Sequence, residues 1–185
     1  MDTVLTGNIW KQVVPQAKAA KRRLAAVAYV SNVKYLKLRK DDVLICDASD
    51  EAIKARDTSA RILQSLRRKG VEVRHWPNLH AKVAVFGRRA LIGSCNLSAS
   101  AAHDLTEIAL VTDRTQIVAQ SMAFIHNLRE HAELIGDDFL RRILRIKVQK
   151  ARRRGRVRRG KTPKFGSNVW LVSVKQLRDD AFPKE

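Results

Sequence analysis

The residues best suited to chemistry in this sequence are a histidine and a lysine two positions apart, His80 and Lys82. They open the stretch HAKVAVF (80–86), whose apolar composition predicts a β-strand. Because side chains two apart on a strand point to the same face, we expect the imidazole and the ammonium side by side. An ammonium can offset charge on phosphate oxygens, and an imidazole can attack phosphorus or move a proton. The pair therefore suits phosphoryl chemistry.

A second polar pair follows in the stretch ALIGSCN (90–96), where Ser94 and Asn96 share a face if the chain is extended. Gly87-Arg88-Arg89 predicts a tight turn between this stretch and the first, so the two pairs are expected to lie next to each other. Each feature is weak by itself. A single histidine at the start of a strand is more often structural, and Gly-Ser-x-Asn is usually a turn.

The rest of the sequence predicts the elements that would hold these residues. Apolar runs predict strands over 23–30, 42–48, 71–76, 80–86, 90–96 and 107–113. Helical patterns cover 9–20, 115–134 and a helix from Ser49 or Asp50 to about Lys69, where Ser49 or Asp50 suits the N-cap and Gly70 the residue after the helix. Strands that alternate with helices indicate an α/β fold whose sheet is covered on both faces.

The order and spacing of the polar residues resemble the phospholipase D superfamily. That family's signature is His-x-Lys, four residues, Asp, and then a Gly-Ser-x-Asn segment. Here the pattern is His80-Ala81-Lys82, residues 83–86, Gly87, and then Gly93-Ser94-Cys95-Asn96. Glu107 falls eleven residues after the asparagine, where the family tends to carry a glutamate.

The resemblance covers residues 8–134 and implies a phospholipase D-like mixed β-sheet sandwiched between helices, similar to the small single-motif nucleases of the family. One residue departs from the pattern, because Gly87 replaces the family's aspartate. In the family this aspartate is thought to be chiefly structural, and glycine is itself a good turn residue.

Carried over residue by residue, the resemblance gives each polar side chain a role. His80 would be the nucleophile and form a covalent phosphohistidine, while Glu107 would accept a hydrogen bond from the other ring nitrogen. Lys82 and Asn96 would hold phosphate oxygens, and Ser94 would support the site. Without the family pattern, Glu107 could equally be a strand residue that faces solvent. No cofactor and no metal are implied.

Only one copy of the motif is present, and the sequence contains no internal repeat. Displacement at phosphorus needs a nucleophile on one side and a proton donor for the leaving oxygen on the other. In the family two histidines from two motifs fill these roles. The remaining histidines lack a lysine two positions on: His75, His103, His126 and His131. We therefore expect a homodimer about a two-fold axis, with the active site at the interface.

The charge of the chain indicates a polyanionic partner. It has 37 Lys and Arg against 18 Asp and Glu, a formal net charge of +19. No acidic residue occurs between 139 and 178. We divide the chain into a catalytic domain (1–136) and a basic extension (137–185) with a short terminal strand at 169–174. The candidate nucleic-acid-binding residues of the extension are Arg152, Arg153, Arg154, Arg156, Arg158, Arg159 and Lys161.

Three functions follow from these features. The first is a metal-independent endonuclease, with DNA favoured over RNA. The second is a phospholipase D-like protein that binds nucleic acid with little or no turnover, which Gly87 favours. The third, ranked last, is a lipid phosphodiesterase or transferase.

We expect no membrane partner and a cytoplasmic protein, since no signal peptide is apparent. Cys46 and Cys95 are expected to be buried free thiols.

Overall fold

The computed structural model describes residues 2–98, 101 and 105–149. The strands in this part of the chain are β1 Thr3–Thr6, β2 Arg23–Val27, β3 Val43–Cys46, β4 Glu72–His75, β5 Lys82–Phe86, β6 Arg89–Gly93, β7 Ile108–Thr112 and β8 Glu133–Leu134. The helices are α1 Ile9–Ala19, α2 Asp50–Lys54, α3 Ala60–Arg68, α4 Thr115–His131 and α5 Asp137–Leu144. No helix among these residues is long and apolar enough to cross a membrane.

The strands form one mixed sheet in the order β1-β7-β6-β5-β2-β3-β4-β8. The three adjacent strands β2, β3 and β4 are parallel, and the other neighbours pair antiparallel. One face packs against α1, α3 and α5, and the other packs against α4. The predicted α/β fold, a mixed sheet between helices, is therefore confirmed.

This strand order brings distant parts of the sequence to one edge of the sheet. Strands β2, β3, β4 and β6 all run toward that edge and end there, whereas β5 and β7 run away from it and begin there. The segments before β5, after β6 and before β7 contain the polar residues of the sequence motif. The topology thus places them together. Loops at the carboxyl ends of parallel strands are also where α/β sheets usually bind ligands.

All six predicted strands are shorter than the sequence indicated, and at β5 and β6 the difference concerns the motif. β5 begins at Lys82, so the expectation that His80 lies on the same strand is wrong: His80 lies in the segment just before it. β5 begins at Lys82 because Lys82 pairs with Val27, the last residue of β2. Residues before Lys82 therefore have no partner within that strand. β6 ends at Gly93, so Ser94 and Asn96 also lie beyond their strand.

The predicted helix over residues 50–69 is two helices, α2 and α3, separated at residues 55–59. Hydrogen bonds to the segments that follow β2 and β3 interrupt it. The Ser59 amide donates to the Val30 carbonyl at 2.8 Å, and the Thr58 hydroxyl donates to the Asp47 carbonyl at 2.6 Å. The predicted helix ends are confirmed. The Ser49 side chain accepts from the Ala52 amide at the start of α2, and Gly70 has φ +79° after α3.

A buried arginine that is paired with an aspartate holds the end of helix α1 against the sheet. The Arg23 guanidinium lies 3.1 Å from the Asp42 carboxylate, and both side chains are 1% exposed. Arg23 also donates to the carbonyls of Ala17 and Ala20 at the end of α1. Pro15 lies inside α1. The arrangement fixes α1 over the sheet, where its first turn reaches the motif residues.

Helix α5 begins with Asp137 and Asp138, whose carboxylates suit the positive end of the helix dipole. Its apolar residues Phe139 and Ile143 are buried in the same core cluster as α3. The division of the chain at residue 136 stays a prediction. The predicted strand at 169–174 and the basic residues 152–161 lie outside the described residues.

Candidate active site

Lys82 occupies the first position of β5 and is unusually buried for a lysine, with 8% of its surface exposed. Its ammonium donates to the backbone carbonyl of His80 at 2.7 Å. Burial lowers the pKa of Lys82, and the negative charge of Glu107 acts in the opposite direction. The ammonium is therefore fixed beside the backbone of His80, with hydrogens left to donate to a ligand.

Gly93 sets the spacing between β6 and β7 at the site. A Cβ atom at this position would lie 2.5 Å from the Ala109 Cβ and 2.5 Å from the Ile108 carbonyl oxygen. Only glycine allows the two strands to approach this closely. The next residue, Ser94, is consequently held against β7, where its amide donates to the Ile108 carbonyl at 3.0 Å.

The Ser94 hydroxyl and the Glu107 carboxylate are joined by a hydrogen bond. The serine oxygen also accepts from the Ile108 amide at 3.2 Å. Glu107 is only 6% exposed, so these hydrogen bonds, and not contacts with water, hold its carboxylate in position. Its charge affects the pKa of both Lys82 and Cys95, as expected for a carboxylate close to both groups.

Residues 94–97 cross the edge of the sheet from β6 to the continuation of β2, passing over the beginning of β5. The crossing is fixed at its far end, where the Leu97 amide donates to the Tyr29 carbonyl at 3.1 Å. The Asn96 side-chain oxygen accepts from the Tyr29 amide at 3.3 Å. Its oxygen is thus occupied, which leaves the NH2 group as the end that can donate to an anion.

His80 is exposed, whereas Lys82 and Glu107 are buried. The structure brings Glu107 to Ser94 and to the neighbourhood of Lys82. Among the described residues it does not form the expected hydrogen bond to the His80 ring. An orienting role of Glu107 toward His80 therefore stays a prediction. The exposed imidazole is free to meet a substrate that approaches this edge of the sheet.

Together these residues place hydrogen-bond donors that suit an anion beside an exposed imidazole. A buried ammonium and a carboxamide NH2 can donate to phosphate oxygens, and the exposed imidazole can attack phosphorus. The carboxylate of Glu107 keeps the local charge balanced when no anion is bound. No group of three or more His, Cys, Asp or Glu side chains that could hold a metal ion occurs in the described part of the chain.

One residue that positions the site, Trp10, was not among the candidates predicted from the sequence. It is buried, with 1% of its surface exposed. Its indole N–H donates to the Asn96 carbonyl at 2.9 Å, which ties the first turn of α1 to the crossing segment. The available signal was general: a buried tryptophan usually finds an acceptor for its N–H. Nothing in the sequence pointed to Asn96 as that acceptor.

The buried thiols of the sequence analysis are also found here. Cys46 and Cys95 are free and buried, as predicted. Cys95 lies between Ser94 and Asn96 and faces the core, so the two polar neighbours face outward. Burial and the charge of Glu107 raise the pKa of Cys95 to about 12, which makes the thiol a poor nucleophile.

Comparison with known families identifies the class of protein that this fold and site define. Residues 16–129 match the model of the cardiolipin synthase, PLD-like domain family. The chain belongs to the phospholipase D-like family, a class of phosphodiesterases within the hydrolases. A search of curated protein sequences found no match.

Solved structures with the same fold include small members of this family. NucT from Helicobacter pylori is 13% identical, with a TM-score of 0.60 over 72% of this chain and 98% of that one. Nuc from Salmonella typhimurium, a phospholipase D family member, is 16% identical, with a TM-score of 0.56 over 72% and 98%. A phosphatidylserine synthase from Haemophilus influenzae is 14% identical, with a TM-score of 0.55 over 72% and 39%. The likeness extends over nearly the whole length of the two small proteins.

Proposed function

We propose that this protein is a metal-independent endonuclease that cleaves nucleic acid through a phosphohistidine intermediate, with DNA favoured over RNA. The observation that carries the proposal is the exposed His80 beside a buried ammonium, that of Lys82, at one edge of the sheet. The net charge of +19 supports a polyanionic substrate. The two free, buried thiols are compatible with the reducing cytoplasm, which we propose as its setting.

The proposed reaction has two displacements at phosphorus. An imidazole nitrogen of His80 attacks, the N–P bond forms, and the bond to the leaving oxygen breaks as that oxygen takes up a proton. Water then attacks the phosphohistidine, the N–P bond breaks, and the proton of the water passes to the group that served as the acid. Lys82 and Asn96 would offset the charge on the non-bridging oxygens in both steps.

The acid in this scheme is proposed to be His80 of a second copy. Among residues 2–98, 101 and 105–149, no other histidine lies beside a lysine in the way that His80 does. A two-fold dimer would bring two copies of the motif together and supply both the nucleophile and the acid.

Apolar surface beside the site supports this dimer. Val4, Leu110 and Ile92 lie opposite one another across β1, β7 and β6, on the sheet face that α4 covers elsewhere. Val4 is 53% exposed and Ile92 is 38% exposed. Ile108, the neighbour of Glu107, is 57% exposed. An exposed row of aliphatic side chains next to a half-complete site suits contact with a second copy.

Cleavage in the absence of metal tests the proposed activity. Labelled single- and double-stranded DNA and RNA would be incubated with the wild type and with His80→Ala in excess EDTA. His131→Ala is the matched control, because this exposed histidine lies at the end of α4, outside the motif. Cleavage by the wild type and the control, but not by His80→Ala, is expected. Equal cleavage by His80→Ala would overturn the mechanism.

The dimer is tested at Val4, which is exposed and lies on the edge strand rather than in the site. Val4→Asp would place a charge in the apolar row, and we expect a monomer that does not cleave. Leu134→Asp is the matched control, because Leu134 is 49% exposed on β8 at the opposite side of the sheet. Sedimentation would report the mass of each variant. A monomeric Val4→Asp protein with full activity would exclude the shared site.

The second candidate function is nucleic-acid binding without turnover. Gly87, which replaces an aspartate of the family pattern, is the feature that favours it. Tight, salt-sensitive binding with no cleavage by the wild type would establish this alternative. Anionic lipid vesicles added as competitors separate both functions from action on lipid, since only a lipid-directed protein would prefer the vesicles.

A further inference from the structure

Two neighbouring segments near the candidate site carry only positive charge. Residues 31–40 contain four Lys or Arg, residues 58–70 contain another four, and neither segment contains Asp or Glu. The first segment is the connection that follows β2, and the second includes helix α3. We call the surface where they meet the basic seam and define it by residues 31–38, Arg56 and residues 60–69.

Two grooves lie along the basic seam. One has a volume of about 450 Å3, and its wall includes Ser31, Arg56 and Arg61. The other has a volume of about 340 Å3, and its wall includes Lys34, Lys37 and Lys69. Residues of both segments line each groove. The first groove lies at the N-terminal end of α3 and the second at its C-terminal end, so the cations are arranged along the length of this helix.

The seam begins at the candidate active site. The amides of Ser31 and Asn32 both donate to the Leu97 carbonyl at 2.8 Å. Leu97 directly follows Asn96 and forms a bridge with Val30. The first groove thus starts within a few residues of the carboxamide that faces the site. A polymer bound at the site could continue into the groove without crossing the body of the domain.

The cations of the two grooves are available to an anion. Arg67 on α3 is engaged by Asp137 and by the Ile135 carbonyl, and Arg39 donates to carbonyls before β2. In contrast, the five groove cations form no salt bridge with a carboxylate in the described part of the chain. Like charges that lack partners repel one another, and a polyanion would relieve that repulsion.

The backbone also points to a role beyond stability. Four residues other than glycine have positive φ in the described chain: Lys37, Asp41, Arg56 and Asn78. Asp and Asn tolerate this conformation, but it strains a long side chain and is the place where glycine is usual. Lys37 (φ +56°) and Arg56 (φ +68°) are both groove cations. Arg56 follows α2, at the position where a helix most often has glycine.

We infer that the basic seam is a second nucleic-acid-binding surface, which holds the phosphate backbone of the strand that leaves the candidate active site. This inference rests on the proposed function, since it extends the substrate path of that site. The nine residues of α3 span about 13 Å, enough for about four phosphates of a B-form strand. The contacts are to phosphate, so the surface adds affinity without reading sequence.

Salt-dependent binding tests the inference. The first variant replaces the three lysines of the second groove by glutamine (Lys34→Gln, Lys37→Gln, Lys69→Gln). Its matched control removes three positive charges at the opposite edge of the sheet (Lys21→Gln, Arg88→Gln, Arg89→Gln). Affinity for a labelled single-stranded 20-mer would be measured by fluorescence anisotropy from low to moderate salt. The seam variant is expected to lose at least tenfold in affinity, and its slope of log affinity against log salt to fall by about 2. A slope equal to that of the wild type, or an equal loss in the control, would overturn the inference.

A glycine at position 56 gives a second, independent readout. Arg56→Gly removes a groove cation but relieves the strained backbone, so the melting temperature should stay or rise while the affinity for the 20-mer falls about threefold or more. A purely structural role for Arg56 would leave the affinity unchanged, and that result would count against the seam. Hydrolysis of bis(p-nitrophenyl) phosphate, which is too small to reach the seam, separates the two proposals. If the wild type neither hydrolyses this compound nor cuts DNA, the proposed function is wrong. The salt dependence of DNA binding would still show whether the basic seam binds nucleic acid.

Discussion

Gly93→Ala is the sharpest perturbation of the site, because the structure gives the size of the clash. The new Cβ would lie 2.5 Å from two atoms of β7 and 2.8 Å from a third, where carbon atoms normally keep about 3.5 Å. The strands must therefore separate by about 1 Å. Overpacking of this kind costs about 1–3 kcal/mol of stability. The same shift moves Ser94 away from Ile108 and Glu107, and a displacement of about 1 Å at a site costs about 100-fold in rate, or about 2.7 kcal/mol.

The assay would compare thermal unfolding with DNA cleavage far below the melting temperature. For a chain of this size we expect the melting temperature to fall by about 2–12 °C, while the folded variant cleaves about 100-fold more slowly. Gly136→Ala is the control, because a Cβ there meets no atom within 4 Å. Adding Ala109→Gly to Gly93→Ala should restore little of the lost stability or activity, because the Ile108 oxygen and the Ala109 Cα would still clash with the new Cβ. A folded Gly93→Ala protein with cleavage within threefold of the wild type would refute this account of the site.

Three further predictions concern titratable groups. Burial lowers the pKa of Lys82, so substrate affinity should decline as pH rises at values below the usual 10.5, and Lys82→Arg should remove that decline in a pH series of KM. The hydrogen bond from Arg129 lowers the pKa of Glu72 to about 2. The stability that this interaction adds to the folded state is present above pH 4.5 and is lost as pH falls toward 2. After allowance for solvent screening, Glu72→Gln should lower the free energy of unfolding by about 1 kcal/mol at pH 7, as urea unfolding would measure. With its pKa raised to about 12, Cys95 should not react with iodoacetamide at pH 8 until denaturant is added, as mass spectrometry would record.

Local sequence patterns were enough to predict six of the eight described strands and to place the motif residues near one another. Two apolar runs over residues 80–86 and 90–96, with Gly87-Arg88-Arg89 between them, predicted a hairpin, and β5 and β6 pair as one. The hairpin alone brings the segment of His80 close to that of Ser94. That helices cover both faces of the sheet was also predictable, because the continuous apolar run of β3 indicates a strand buried on both faces, and all its residues are buried.

What the sequence could not specify depends on contacts between distant segments. The break between α2 and α3 arises because Thr58 and Ser59 bond to the segments that follow β3 and β2, whereas the local pattern continues as a helix. Strands β1 and β8 are short and have no distinctive pattern, and each exists because a partner strand is present. The crossing of Asn96 to the continuation of β2 has the same origin: it needs Tyr29 in place before any local preference of the Gly-Ser-x-Asn segment matters.

The geometry also explains how the site can keep its chemistry although Gly87 replaces the aspartate of the family pattern. Gly87 follows β5 at the end opposite to Lys82, five residues along an extended chain, or about 17 Å away. Its φ of +64° makes the first residue of a two-residue hairpin turn, a position that glycine fills well. A Cβ at this position would have Ala20 as its nearest neighbour, at 3.8 Å, so a side chain there would face the junction of α1 and β2. The replacement therefore affects how the turn is supported and leaves the residues of the candidate site untouched.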